Sequence, residues 1–293
     1  MRETPELRSR GPVVVAVDGT DDGDRALRYG VEEARRQDCG LRLVHVPHET
    51  IPMAPMLPMF AAPTLHEIGA QILKEQEQQA RAMGGDEMPV EVILEHGPRV
   101  AAILEAAQDA RAIVVGPRPA SLAKLVVGST TCGVAARAHC PVICVPKGWS
   151  GPATRPKVVA GVDGSPASGA VLDAAFEAAD ERRADLVVLH AWRPSGQYDA
   201  AIGGRAFVRE WVEQAERELA EIVAGRRERH PDVRTRLELR YQRPAVALSE
   251  LARGADLLVL GRRGRGAPLG LSLGTTARAL IRSEVCPVEV VPV

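Results

Sequence analysis

Two glycines, Gly261 and Gly264, follow an apolar run, and nine residues later Gly274 precedes the hydroxyls of Thr275 and Thr276. The chemistry this spacing suits is phosphate binding. Glycine lets the backbone take positive φ and come close to a ligand, while a helix N-terminus presents unpaired N–H groups and the positive end of its dipole to an anion. The run 256–260, Asp-Leu-Leu-Val-Leu, predicts a short buried strand, and 275–281 predicts a helix with a hydroxyl near its N-cap. The spacing departs from a Walker A loop, which ends in Gly-Lys-Ser/Thr, and from the dinucleotide fingerprint, whose glycines lie within six residues. The plain alternative is a glycine-rich connection that holds no ligand.

The elements that would position this loop occur twice. Val17-Asp18-Gly19-Thr20 recurs as Val162-Asp163-Gly164-Ser165, and the pairs Asp18/Asp163, His45/His190 and Gly116/Gly261 are each 145 positions apart. The register slips by one at Gly128/Gly274 and Cys140/Cys286, so the first copy is one residue shorter inside its glycine loop. Two homologous domains follow, 1–147 and 157–293, with a Gly- and Pro-rich linker at 148–156.

In each copy short β-branched runs alternate with longer amphipathic stretches. The second is expected to hold strands at 158–162, 186–189, 233–239, 257–260 and 288–291, with helices between them. This alternation implies an α/β fold, two tandem doubly wound parallel sheets of Rossmann-like or flavodoxin-like type, joined by right-handed crossovers. Ligands of such sheets sit beyond the carboxyl ends of the strands, where strand order reverses. Asp163 ends the first strand and Gly261 the fourth, so both are expected to face one crevice. Gly161, Val162, Arg262 and Thr276 flank these positions and join the candidate set.

A net charge of -1 and an aromatic content of 3% offer neither the basic surface nor the stacking platforms of a nucleic-acid binder. A signal peptide and a membrane-spanning apolar run are not apparent, and a cytoplasmic protein is expected. The five cysteines are odd in number and lack metal-ligand spacing, so Cys140, Cys144 and Cys286 read as buried core residues. His45 and His190 occupy equivalent strand ends, which suggests a role in the fold. The Met- and Pro-rich segment 47–63 and the polar segment 193–204 are expected to cover the two crevices.

With the repeated Val-Asp-Gly-Thr/Ser, the glycine loops and the Cys-Pro-Val at 140–142 and 286–288, the chain resembles a tandem universal stress protein of the ATP-binding type over essentially its whole length. The resemblance implies strand order 3-2-1-4-5 in each domain, five strands per sheet, a pseudo-twofold relation and pairing of the domains through their last strands, with a homodimer as a further option. It implies that Asp163 contacts the ribose and base region, that Ala191 lines the adenine pocket through its backbone, and that Gly261, Gly264, Gly274 and Thr275 hold the phosphates of ATP, often with Mg2+ or Mn2+; Ser165 is kept as part of the same motif.

The first copy keeps Asp18, Thr20, Val46, Gly116, Gly128, Ser129 and Thr130, but reads Gly116-Pro117-Arg118-Pro119 where a second glycine belongs. Proline has no N–H to donate and fixes φ, so this second site is expected to be on the order of a hundredfold weaker. The leading functional expectation is a cytoplasmic stress-response protein whose adenine-nucleotide occupancy regulates an unidentified protein partner. The rivals are a slow ATP-hydrolysing enzyme and a nucleotide-free dimerisation module. No general base with an orienting partner is evident in the motifs, and an enzymatic role stays open.

Overall fold

Apolar β-branched runs form the strands because both of their faces can be buried under helices. The computed structural model describes residues 11–47, 64–85, 87–116, 129–192, 205–265 and 273–292, and the chain divides into two units, Met1–Lys147 and Gly148–Val293. In the first, β1 (Val13–Ala16) lies between β2 (Leu41–His45) and β4 (Ala112–Val115). Strand β2 also pairs with β3 (Val90–Leu94), and β4 with β5 (Val142–Cys144). All these pairs are parallel, and the order is β3-β2-β1-β4-β5.

The second unit repeats the pattern with β6 (Lys157–Val162) between β7 (Asp185–Ala191) and β9 (Leu257–Gly261). Strand β8 (Thr235–Arg240) borders β7, and β10 (Val288–Val291) borders β9. In both units the chain leaves the first strand for a neighbour on one side and returns to a neighbour on the other. That reversal opens a crevice at the carboxyl ends of β1 and β4, and of β6 and β9.

Helices cover the sheets. In the first unit they are α1 (Asp21–Arg36), α2 (Leu65–Gly84), α3 (Arg99–Glu105) and α4 (Ser129–Arg137). Thr20 is the N-cap of α1, its hydroxyl accepting from the Gly23 N–H at 3.3 Å. Asp21, Asp22 and Asp24 occupy the first turn, and Arg35 and Arg36 the last, both matching the helix dipole. A capping box of Thr64 and Glu67 starts α2. The second unit has α5 (Ala167–Arg182), α6 (Arg205–Arg229), α7 (Pro244–Leu251) and α8 (Thr275–Ser283). Proline at the first position of α7 costs no hydrogen bond, since that N–H has no partner within the helix.

The strand ends of the second unit depart from expectation by at most two residues. Strand β8 starts at Thr235 and not at Val233; Val233 is a buried turn residue whose N–H bonds the His230 carbonyl at 3.2 Å. The stretch before β6 is anchored within the second unit, because Asp256 accepts from the N–H groups of Ala153 and Lys157 at 2.7 and 2.8 Å. Cys140, Cys144 and Cys286 are buried. Burial pushes the Cys140 thiol up to about 11 and that of Cys286 to about 12. No helix among the described residues is long and apolar enough to cross a membrane.

Candidate functional site

The carboxyl ends of β6, β7 and β9 and the first turns of α5, α7 and α8 enclose a pocket of about 420 Å3. Of the residues picked out by sequence, Gly161, Val162, Asp163, Ser165, Ala191, Gly261, Gly264, Gly274, Thr275 and Thr276 line it. Arg262 does not. Its N–H donates to the Val291 carbonyl at 2.9 Å and its carbonyl accepts from the Gly274 N–H at 2.8 Å, so its backbone joins the end of β9 to β10 and to the helix start. The arginines that do line the pocket are Arg263 and Arg265. Turn geometry after the strand settles which arginine points inward, and a run of Arg-Arg-Gly-Arg does not encode it.

Asp163 ties the two halves of the motif together. Its Oδ1 accepts from the Ser165 N–H at 3.0 Å and the Ser168 hydroxyl at 3.4 Å, and its Oδ2 accepts from the Arg265 N–H. The Arg265 guanidinium also donates to the Gly164 carbonyl at 2.8 Å. This contact fits the turn at Gly164, whose φ of +71° belongs to the left-handed region. Burial pushes the Asp163 carboxyl up, but the Ser165 side chain, the N–H groups of Arg265 and Ser165 and the Arg265 charge outweigh it. The carboxyl therefore sits below its ordinary range and is ionised at neutral pH.

Two glycines stand in close approach to their neighbours. A Cβ at Gly264 would lie 2.5 Å from Asp163 Oδ2, and one at Gly274 would lie 3.2 Å from the Arg262 carbonyl oxygen. Gly274 is also the N-cap of α8, and no side chain caps this helix. The expected hydroxyl near the N-cap thus stands at Thr275, the first helical residue. Thr275, Thr276 and Ala277 all line the pocket, which opens the first turn of α8 to a ligand.

Ser165 Oγ is buried without a partner of hydrogen-bond geometry, although it lies close enough to Asp163 to favour the carboxylate. A buried hydroxyl in this state is costly unless a ligand satisfies it. Sequence reasoning missed Ser168, Trp192 and His190 as lining residues. Ser168 carried one legible signal, as a hydroxyl three residues after Ser165 at the start of a helix. His190 borders a second cavity of about 230 Å3 beside α6, which shares Asp163, Ser168 and Arg265 with the first. Burial pushes the His190 imidazole down, against the pull of Asp163.

The first unit arranges its matching residues differently. Asp18 Oδ1 accepts from the Thr20 N–H at 3.2 Å and the Thr20 hydroxyl at 2.6 Å. Gly23 stands where the second unit has Ser168, and a Cβ there would lie 2.8 Å from Asp18 Oδ1. Ile72 of α2 packs over Gly19, 3.2 Å from where its Cβ would be. Gly116 accepts a hydrogen bond from the Thr131 hydroxyl at 2.9 Å. Val46 is buried at the end of β2, while Ser129 and Thr130 open α4. Gly128, Pro117 and Pro119 lie outside the described residues, as do most of the segment 47–63 and all of 193–204. His45 is a fold residue, its Nδ1 2.8 Å from the Val17 carbonyl.

The sequence profile of the universal stress protein family matches residues 10–146 and again 154–292. The chain belongs to this family. A universal stress protein of Mycolicibacterium smegmatis is 31% identical over 290 residues, 95% of this chain and 96% of that one. Among solved structures, a universal stress protein from Archaeoglobus fulgidus shares the two-domain fold, with a TM-score of 0.68 at 19% identity over 98% of each chain. Another from that organism, solved in complex with dAMP, matches 46% of this chain and 98% of its own at 29% identity and a TM-score of 0.35.

Within the universal stress protein frame a divalent cation can be tested against the residues present. Among the described residues no three His, Cys, Asp or Glu side chains cluster to hold a metal. Among the described residues that line the pocket, Asp163 is the one carboxylate. That set suits Mg2+ carried by phosphate oxygens and water with a single protein carboxylate, and does not suit a resident ion held by the protein alone.

Proposed function

We propose that the second unit binds an adenine nucleotide, ATP in the first instance, and that its occupancy regulates a protein partner in a cytoplasmic stress response. The observation that carries this reading is the convergence on one pocket of an ionised strand-end carboxylate, a glycine-walled loop and an uncapped helix start. The first turn of α8 and the hydroxyls of Thr275 and Thr276 would take the phosphates, with Arg263 adding charge. Asp163, ionised and held by three donors, would accept from the ribose hydroxyls or share the cation. The buried Ser165 hydroxyl would gain its missing partner.

The same geometry favours binding over turnover. Both oxygens of Asp163 are engaged by its own loops, a role of orientation more than of proton transfer. A Mg2+ or Mn2+ ion arriving with ATP would neutralise phosphate charge.

Calorimetric titration of nucleotide-stripped full-length protein tests the reading. One ATP per chain is expected, bound through the second unit, with phosphate release at or near the uncatalysed rate. Two equivalent sites, or no heat at all, would contradict it. Steady turnover would move the protein to the enzymatic reading.

A further inference from the structure

The lining of the pocket is chemically mixed. Asp163, Gly264 and Thr275 belong to its polar and glycine-walled part, whereas Trp192 stands with Leu189, Pro244 and Leu248 among the apolar lining residues. Trp192 follows the end of β7, where its N–H donates to the Arg240 carbonyl at 3.0 Å and extends the β7–β8 ladder by one rung. Its ring meets that of Tyr241, with centroids 5.3 Å apart and planes tilted by 59°, a favoured arrangement of aromatic pairs. The chain has three tryptophans and three tyrosines, and one of each meets here. The residues at the same places in the first copy are Pro47 and His96, 145 positions earlier, so that unit has no such pair.

We propose that Trp192, braced by Tyr241, is the platform on which the base of a nucleotide stacks, so that the second unit selects an aromatic base and not a phosphate chain alone. The inference rests on the nucleotide reading above. It adds a specificity-determining side chain and gives a role to the apolar residues that line the pocket beside its polar ones. A π face tolerates any base, so the platform distinguishes nucleotides from inorganic polyphosphate more sharply than one purine from another. The tilted Tyr241 limits the rotation of the indole and leaves less side-chain entropy to lose on binding.

The test compares ATP with inorganic tripolyphosphate on the full chain, by calorimetry, for the wild type, Trp192→Ala and Trp192→Phe. Loss of one stacked base weakens binding by roughly 5- to 150-fold. Trp192→Ala is therefore expected to weaken ATP by about tenfold or more and tripolyphosphate by less than about twofold, and Trp192→Phe to recover most of the ATP affinity. ATP is also expected to quench tryptophan emission in the wild type, and the quench to disappear in Trp192→Phe, which keeps Trp149 and Trp211. This second readout stands even if the alanine variant fails to fold. An unchanged ATP-to-tripolyphosphate ratio in Trp192→Ala, or an unaltered quench in Trp192→Phe, would overturn the platform while leaving nucleotide binding intact. Absence of ATP binding to the wild type would overturn the nucleotide reading, and the platform with it.

Discussion

Gly264 and Asp163 are 101 positions apart in the chain, yet a Cβ on the one would stand 2.5 Å from a carboxylate oxygen of the other. The glycine loop is thus built around the strand-end aspartate, and the two halves of the motif are one structural unit. Gly264→Ala must displace either Asp163 or the loop. We expect it to weaken ATP by at least about tenfold, the effect of losing one charge-assisted hydrogen bond. Gly264→Pro, which also removes an N–H, should be worse. Titration calorimetry reads both, and wild-type affinity in either variant would show that the contact is not needed.

Gly116→Ala looks harmless from sequence, since it alters the degenerate first copy. The structure places the Asp22 carbonyl oxygen 2.7 Å from the added methyl. Backbone cannot yield as a flexible side chain does, so the substitution should destabilise the first unit by about 1–3 kcal/mol while leaving ATP affinity near wild type. For a unit of this size that lowers its thermal midpoint by several degrees, roughly 2–4 °C for each kcal/mol. An unchanged melting curve would count against the packing described here.

Protonation of His190 should oppose folding of the second unit. Burial holds its pKa below the ordinary value near 6.5, so the unfolded chain binds a proton more readily than the folded one. Its contribution is highest above that ordinary value and declines as pH falls through it towards the lower folded-state value. His190→Gln should therefore lose less thermal stability between pH 7.5 and pH 5 than the wild type does. Parallel scans across that range are the check, and equal losses in the two proteins would remove His190 as the cause.

Thiol labelling should divide the cysteines. Cys39 and Cys132 are partly exposed, whereas Cys140, Cys144 and Cys286 are buried with thiols pushed up by desolvation. A maleimide reagent at neutral pH should modify the first two in the native protein and the other three only on unfolding. Mass spectrometry of partially labelled protein would expose a wrong assignment as early modification of Cys140, Cys144 or Cys286.

Much of the fold was legible because its determinants are local or repeated. Val158, Val159 and Ala160 mark a buried strand by composition alone, and the constant offset from Asp18 to Asp163 shows a duplication without any structure. The glycine loop could be located because strand and helix patterns bracket it, and its partner Asp163 because alternating strands and helices bring strand ends to one edge of a sheet. What the sequence could not determine was the rotation of side chains about those ends. Arg262 and Arg263 are neighbours with the same side chain, yet Arg263 lines the pocket and Arg262, whose backbone bonds Val291 and Gly274, does not. Ser168 and Trp192 became site residues only once helix α5 and strand β7 were packed beside β6. Periodicity reports which face of an element is buried; which neighbour that face meets, and at what distance, depends on contacts between residues far apart in the chain, and only the tertiary structure decides those.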